Sequence, residues 1–385
     1  MGSHEYKMSI QLNTKYRIKD IAKSWSGVAR QIWERSRRGG TPKVFFRYKN
    51  YRTHPGFASY YDQPPVPWSN WCGADLQHWI NYPKLIDSRP FLVESNDHPL
   101  SAVGWKKRVS EPAHVLGLIA AAQNVYEHRN CQAILIPCDG FKNLFAYYFS
   151  EAVCKKLIEV PAAVCNPHEI DWTARSQMPV AFCCLASDYS LKGVDLVLRA
   201  WLSTEKRNKS KLILACPNIP PDIRQKIIGE KSIILIEKAP LTLAEKDAIF
   251  RSSHISLAPT HVHGGTNVVE GLEYGHIPIM FEYHLKMFQD FGSTIPVPYY
   301  FYTPNGYGKI WKTFHEFFSR LSADKKAGVF DCVVEALIQK ISTMIDNPEI
   351  VISAAKEVFF LSANRFSVAA RNDKLLHIYS EILKS

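Results

Sequence analysis

Short apolar runs alternate with stretches of helical period along most of the chain. In the first half KMSIQL and KVFFRY read as strands on either side of a helix-like segment, and PFLVES (Pro90–Ser95) as a third strand. HVLGLIAAAQNVYEH then carries apolar residues at helical spacing, QAILIP (Gln132–Pro137) is a strand, GFKNLFAYYFSEAVCKKL a helix and EVPAAV a strand. The second half repeats the rhythm. VAFCCLA (Val180–Ala186), SKLILAC, SIILIE and ISLAPT are strand-like, and VDLVLRAWLS, PPDIRQKII, TLAEKDAIFRS and a run starting near Asn267 are helix-like. Continuous apolar runs of this length, each followed by a helix, predict strands buried on both faces, hence parallel sheets in two α/β domains. The segment Asn166–Met178 is mostly polar, contains Pro167 and shows neither period, so the domain boundary is expected there, with domains over 1–170 and 171–385. From about Thr294 an irregular stretch rich in Pro, Tyr and Gly leads to C-terminal helices.

Composition narrows the class. The 385 residues are 46% apolar, enough for two cores, and no run of about 18 apolar residues predicts a membrane span. The polar N-terminus shows no secretory signal, and nine cysteines without a CxxC pair fit reduced thiols rather than a disulfide framework or a zinc site. These features set the expectation of a cytoplasmic protein without a bound metal. The formal net charge of +11 favours an anionic partner: nucleotide, nucleic acid or membrane surface. Part of it is local, since Lys15–Arg38 holds eight Lys or Arg against Asp20 and Glu34, with Ile18, Ile21, Trp25 and Ile32 at helical spacing. Such a helix packs on its own core or lies against the inner, anionic face of a membrane.

Four stretches carry candidate chemistry. In HGGTNVVEGLEYGHIP (His263–Pro278), Gly264 and Gly265 permit close approach to the backbone, and Thr266 and Asn267 open a helix whose free amides favour an anion. Glu270, three residues after Asn267, is either the acid of a capping box or a ligand contact. In ASDYSLKGVD, Ser190 or a neighbour is expected to cap the following helix. Lys192 stands at its start against the macrodipole, a conflict that a bound phosphate would remove. VESNDHP places Glu94, Asp97 and His98 after a buried-looking strand, where α/β proteins carry functional groups. The Pro-rich segment Tyr48–Tyr82 reads as a loop holding Tyr60, Tyr61, Trp68 and Trp71, whose rings either bury each other or stack on sugars or bases.

LKGVDLVLRAW, ISLAPT, GGTNVVEGLEYGHIPI and NRFSVAARNDKLLHIYSEIL, in this order, resemble the family 4 glycosyltransferases of the GT-B fold, over roughly Pro179–Leu383. The resemblance implies two Rossmann-like domains facing a cleft, with a last helix crossing back to the first domain. It implies a nucleotide-sugar co-substrate, no other cofactor, and transfer to a glycan or lipid-linked acceptor. Lys192 falls on the family's lysine and Glu270 on the second glutamate of its Glu-x7-Glu motif, which contacts the nucleotide ribose. His98 lies where the first domain contributes a histidine near the reacting sugar. The implied catalytic set is therefore His98, Lys192 and Glu270. Ser187, Lys192, His263, Gly264, Gly265, Thr266, Asn267 and Glu270 face the donor. Glu94, Asp97, His98, Tyr60, Tyr61, Trp68 and Trp71 face the acceptor. Two positions depart from the pattern: Val262 replaces the first motif glutamate and Ser187 the usual arginine. The basic balance leaves a glycosyltransferase acting on nucleic acid as a second reading, and the two departures leave a non-catalytic nucleotide- or glycan-binding GT-B protein as a third.

Overall fold

The structure is a computed structural model that describes residues 43–47, 65–66, 69, 73–80, 86–95, 112–137, 140–163, 168–261, 266–281, 295–297 and 322–384. KMSIQL and the basic Lys15–Arg38 segment lie outside them. Two sheets are present, every strand pair parallel. The first runs in order β1 (Val44–Arg47), β2 (Leu76–Ile80), β3 (Phe91–Glu94), β4 (Cys131–Ile136), β5 (Leu157–Glu159). The second contains β6 (Ala181–Leu185), β7 (Lys211–Ala215), β8 (Ile233–Ile236), β9 (Ile255–Ala258), β10 (Ile277–Phe281) and β11 (Ile295–Val297), in the order β11-β10-β9-β6-β7-β8. The first sheet ends at Glu159 and the second begins at Ala181.

The helices fall where the periodicity puts them, with informative exceptions. α1 is Pro112–Glu127. The helix expected over GFKNLFAYYFSEAVCKKL divides into α2 (Gly140–Tyr148) and α3 (Glu151–Cys154). Ser150 divides them: its backbone is extended and its Oγ accepts from the Val153 amide at 3.4 Å, as an N-cap does. β5 starts two residues before EVPAAV, and its ladder stops at the Val160 amide because Pro161 has no N–H to donate. The segment taken as a featureless boundary contains α4 (Trp172–Ser176), capped by Asp171, whose Oδ1 accepts from the Thr173 and Ala174 amides at 3.0 Å. β11 opens the stretch expected to be irregular.

The largest correction is β2. It lies inside the aromatic segment read as a loop, because Gln77 and His78 interrupt the apolar run yet are fully buried. Both are satisfied at a distance. Gln77 donates to Asp87 at 2.7 Å and accepts from Trp79 Nε1 at 2.9 Å, and His78 bonds Glu94 and Tyr379.

In the second domain α5 (Val194–Ser203) packs Trp201 edge-on to Phe182 at 5.4 Å, with the indole N–H donating to Ser232 at 3.0 Å. α6 is Pro221–Ile227, α7 Leu243–Arg251 and α8 Thr266–Leu272. After α9 (Asp331–Asp346) and α10 (Pro348–Arg365), α11 (Val368–Lys384) returns to the first sheet. Leu375, Ile378 and Tyr379 of α11 are buried in one cluster with Val44, Leu76, Leu92, Ala133 and Leu135. At about 1.5–3 kcal/mol per buried large apolar side chain, this face alone fixes the helix to the sheet.

Candidate functional site

The order of the second sheet reverses between β6 and β9. From β6 the chain winds outward to β7 and β8, and from β9 outward to β10 and β11. In an open parallel sheet such a reversal leaves a crevice beyond the strand ends, where the two following loops part. Here those loops are the turn from Ala186 to Gly193 and the one after Ala258. They are joined by direct contacts. The His261 amide donates to Leu191 O at 2.9 Å, and Asn267 Nδ2 donates to Leu185 O at 3.0 Å. Gly193 has φ 66°, and a Cβ there would stand 2.1 Å from Pro259 O, so only glycine allows the approach.

Inside the first loop Asp188 Oδ1 accepts from the Leu191 amide at 2.7 Å and folds the turn that presents Lys192, which is half-buried. Ser187, in the same loop, is exposed. The expected serine cap of α5 is not used. Gly193 holds the cap position with no side-chain bond, and Ser190 Oγ accepts instead from Lys325 Nζ at 3.1 Å. Lys325 also pairs with Asp195 Oδ2 at 2.8 Å. Burial pushes the Asp195 carboxyl up, and Lys325 opposes that. An acid in the first turn of α5 matches the macrodipole, while Lys192 and Lys325 bring two cations to the same end.

In the second loop α8 already begins at Thr266, so Asn267 sits in the first turn rather than at the cap and ties α8 to the end of β6. Glu270 does not reach back to form a capping box. It is 8% exposed, and both carboxylate oxygens accept from Lys246 Nζ, at 3.0 and 2.7 Å. Burial raises its carboxyl, and the Lys246 charge acts against the rise. Lys192, Asn267 and Glu270 are thus all carried by elements that start from this crevice.

Glu94 lies elsewhere and is enclosed. It is 1% exposed at the end of β3, where Arg371 Nη2 donates to both oxygens at 2.8 Å and His78 Nε2 lies 3.0 Å from Oε2. Arg371 also donates to Pro161 O at 3.0 Å, and His78 Nδ1 meets the Tyr379 hydroxyl at 2.8 Å. The network joins β2, β3 and the end of β5 to α11. His98, Asp97, Tyr60, Tyr61, Trp68, Trp71, His263, Gly264 and Gly265 lie outside the described residues.

Sequence reasoning passed over Lys246, Lys325 and Arg371. Lys246 carried a signal: it stands in the first turn of α7, where a cation opposes the macrodipole, as Lys192 does. A separate open cavity of about 780 Å³ lies beside the chain entering β9 and β10, between His168, Trp172, Arg251 and Phe359. Among the described residues no three His, Cys, Asp or Glu side chains are grouped to hold a metal ion, and no helix is long and apolar enough to cross a membrane.

No family model matches this chain and no curated protein matches it. Solved structures do. The Anabaena protein HepE in complex with UDP and glucose superposes with a TM-score of 0.54 at 10% identity, covering 80% of this chain and 78% of its own. A glycosyltransferase from Rickettsia africae gives 0.52 at 13% identity, covering 100% of this chain and 84% of its own. The pneumococcal O-GlcNAc transferase GtfA in complex with UDP and GlcNAc gives 0.51 at 13% identity and 77% of this chain, which spans about half (53%) of GtfA. Two parallel α/β sheets in this strand order, with the last helix returned to the first, give this chain the GT-B fold of glycosyltransferases.

Proposed function

We propose that this protein is a glycosyltransferase that moves a sugar from a nucleotide diphosphate donor to a glycan or lipid-linked acceptor, without a metal ion. The observation that supports the reading is that the loop bearing Lys192 follows β6 and the helix bearing Asn267 and Glu270 follows β9, the two strands at the switch, tied by the Asn267 bond to Leu185 O. HepE and GtfA, solved with UDP and a sugar, support it by analogy of fold. In this reading Lys192 and the free amides at the start of α8 stabilise the charge that develops on the leaving diphosphate. Glu270 accepts from the ribose hydroxyls. The acceptor oxygen bonds the anomeric carbon as the bond to the phosphate oxygen breaks. In a retaining reaction the departing diphosphate takes the acceptor's proton, so no protein base is needed.

A screen of nucleotide-sugars by thermal shift tests the reading. A matched donor at a hundred times its Kd raises apparent stability by about 2.7 kcal/mol. No response to any nucleotide-sugar or nucleoside diphosphate would overturn it. Val262 and Ser187, standing where the resemblance expects a glutamate and an arginine, favour one rival: a protein that binds the donor without turnover. Slow hydrolysis of the bound donor by purified protein would exclude that rival. Contact with an anionic membrane is a further part of the proposal, read from the Lys15–Arg38 charge, and sedimentation with anionic vesicles measures it.

A further inference from the structure

Lys246 reaches from the first turn of α7 to the α8 carboxylate of Glu270, and the two side chains are only 16% and 10% exposed. Local rules do not place a lysine there. The N-terminus of α7 already has a complete capping box from Thr242 and Glu245, and a cation in that turn opposes the macrodipole. Its partner explains it. A carboxylate offers about four acceptor sites, two on each oxygen. Lys246 takes one on each oxygen from a single nitrogen, so one acceptor site on the outer edge of each oxygen is left over.

We propose that Lys246 is a positioning residue for the nucleoside of the donor, holding the Glu270 carboxylate charged and turned so that an outer lone pair accepts from a ribose hydroxyl. This rests on the nucleotide-sugar reading above. The second effect of Lys246 is on charge. Burial favours the neutral carboxyl of Glu270, and Lys246 is the described side chain whose charge counters it. The neighbouring charges point elsewhere. Glu245 pairs with Lys238 at 2.5 Å, and Asp247 pairs with Arg251 at 3.0 Å and accepts from Tyr274 at 2.9 Å. The β9 and β10 strands bring no ionisable side chain. His276, just before β10, is held by Ser256 and Phe250 O at 2.9 Å each, and Lys356 of α10 lies over the Trp172 ring.

The test is calorimetry with UDP, GDP and ADP, followed by the 2′-deoxy form of the one that binds best. The intact chain is expected to prefer the ribonucleotide by about tenfold or more, the value of a charge-assisted hydrogen bond. Lys246→Met should collapse that preference and make affinity fall as pH is lowered from about 8 to 6, while Lys246→Arg should retain both the preference and the flat profile. A Lys246→Met protein with the original preference and a flat profile would overturn the proposal and leave the pair a structural tie between α7 and α8. If Lys246→Met does not fold, Lys246→Gln, which keeps a donor but not the charge, is measured the same way with the same two outcomes. If the unaltered chain binds none of the three nucleotides, the nucleotide-sugar reading fails first, and the two failures stay distinct.

Discussion

Two buried glutamates, one in each domain, have opposite kinds of company. Glu94 accepts from Arg371 Nη2 on both oxygens and meets His78 on one of them, and His78 is held in turn by Tyr379. Two elements far apart in sequence, β2 and α11, bring these partners to it, and at 1% exposure it is closed off. Glu270 has one cationic partner on a flexible stem, which engages it through a single nitrogen. Both carboxylates are desolvated, and both have a positive charge within 3 Å. In each case one nitrogen bridges both oxygens, and what separates them is the second partner: His78 takes a further site on Glu94, while Glu270 keeps an outer site on each oxygen. Burial and an ion pair therefore do not by themselves distinguish a structural acid from a binding one; the acceptor sites still open make Glu270 the candidate.

Breaking the first of these should have the largest effect. Arg371→Met leaves the Glu94 charge buried without its main partner and is expected to cost about 3–5 kcal/mol of stability, read as a lower urea midpoint. The double variant Glu94→Leu with Arg371→Met should recover most of that loss, because it removes the charge together with its partner. Next comes the open region. Lys192→Ala should leave the urea midpoint almost unchanged and raise the transfer barrier by about 2–4 kcal/mol, seen as a fall in kcat/KM. Near-normal turnover in the folded variant would remove Lys192 from the mechanism. Glu270→Gln follows, with donor affinity expected to drop by about 1.5–3 kcal/mol in calorimetry, the value of a hydrogen bond to a charged group. Unchanged affinity would place Glu270 with Glu94 as a purely structural acid.

Acid sharpens the contrast most gently. Burial lowers the His78 pKa below its ordinary 6.5, so the unfolded chain takes up that proton first. Stability from His78 is complete above about pH 6.5 and is lost as pH falls below it. Burial raises the Glu270 carboxyl above its ordinary 4.5, so there the folded chain protonates first and acidification stabilises that site. Stability against pH measured on His78→Gln and Glu270→Gln should therefore flatten in opposite senses. Slopes of the same sign would mean that one of the two environments is wrongly described.

Much of the fold was legible because parallel strands buried on both faces write themselves as unbroken apolar runs. VAFCCLA and SKLILAC, now β6 and β7, needed no tertiary information. β2 was not legible, since besides the nearby Trp79 the partners that make Gln77 and His78 tolerable inside, Asp87, Glu94 and Tyr379, are 10, 16 and 301 residues away. The site divides the same way. Lys192 and Glu270 were singled out through helix-start chemistry and family spacing, and they lie in the segments that follow β6 and β9. The role of Glu270 within the helix start was not, because its choice between capping and pairing depends on Lys246, 24 residues earlier on another helix. Glu94 read as an acceptor-facing acid at a strand end, and only the return of α11 encloses it.

That return also sets a timetable for synthesis. Leu375, Ile378 and Tyr379 complete the layer over β1 to β4, so a ribosome must translate the chain through α11 before the first sheet can close this face. The other large cluster, which joins buried residues of both sheets, draws on residues only up to Phe366 and is complete sooner. The N-terminal half is thus translated first and finished last, and in the interval Val44, Leu76, Leu92 and Leu135 present an open apolar face to whatever holds nascent chains.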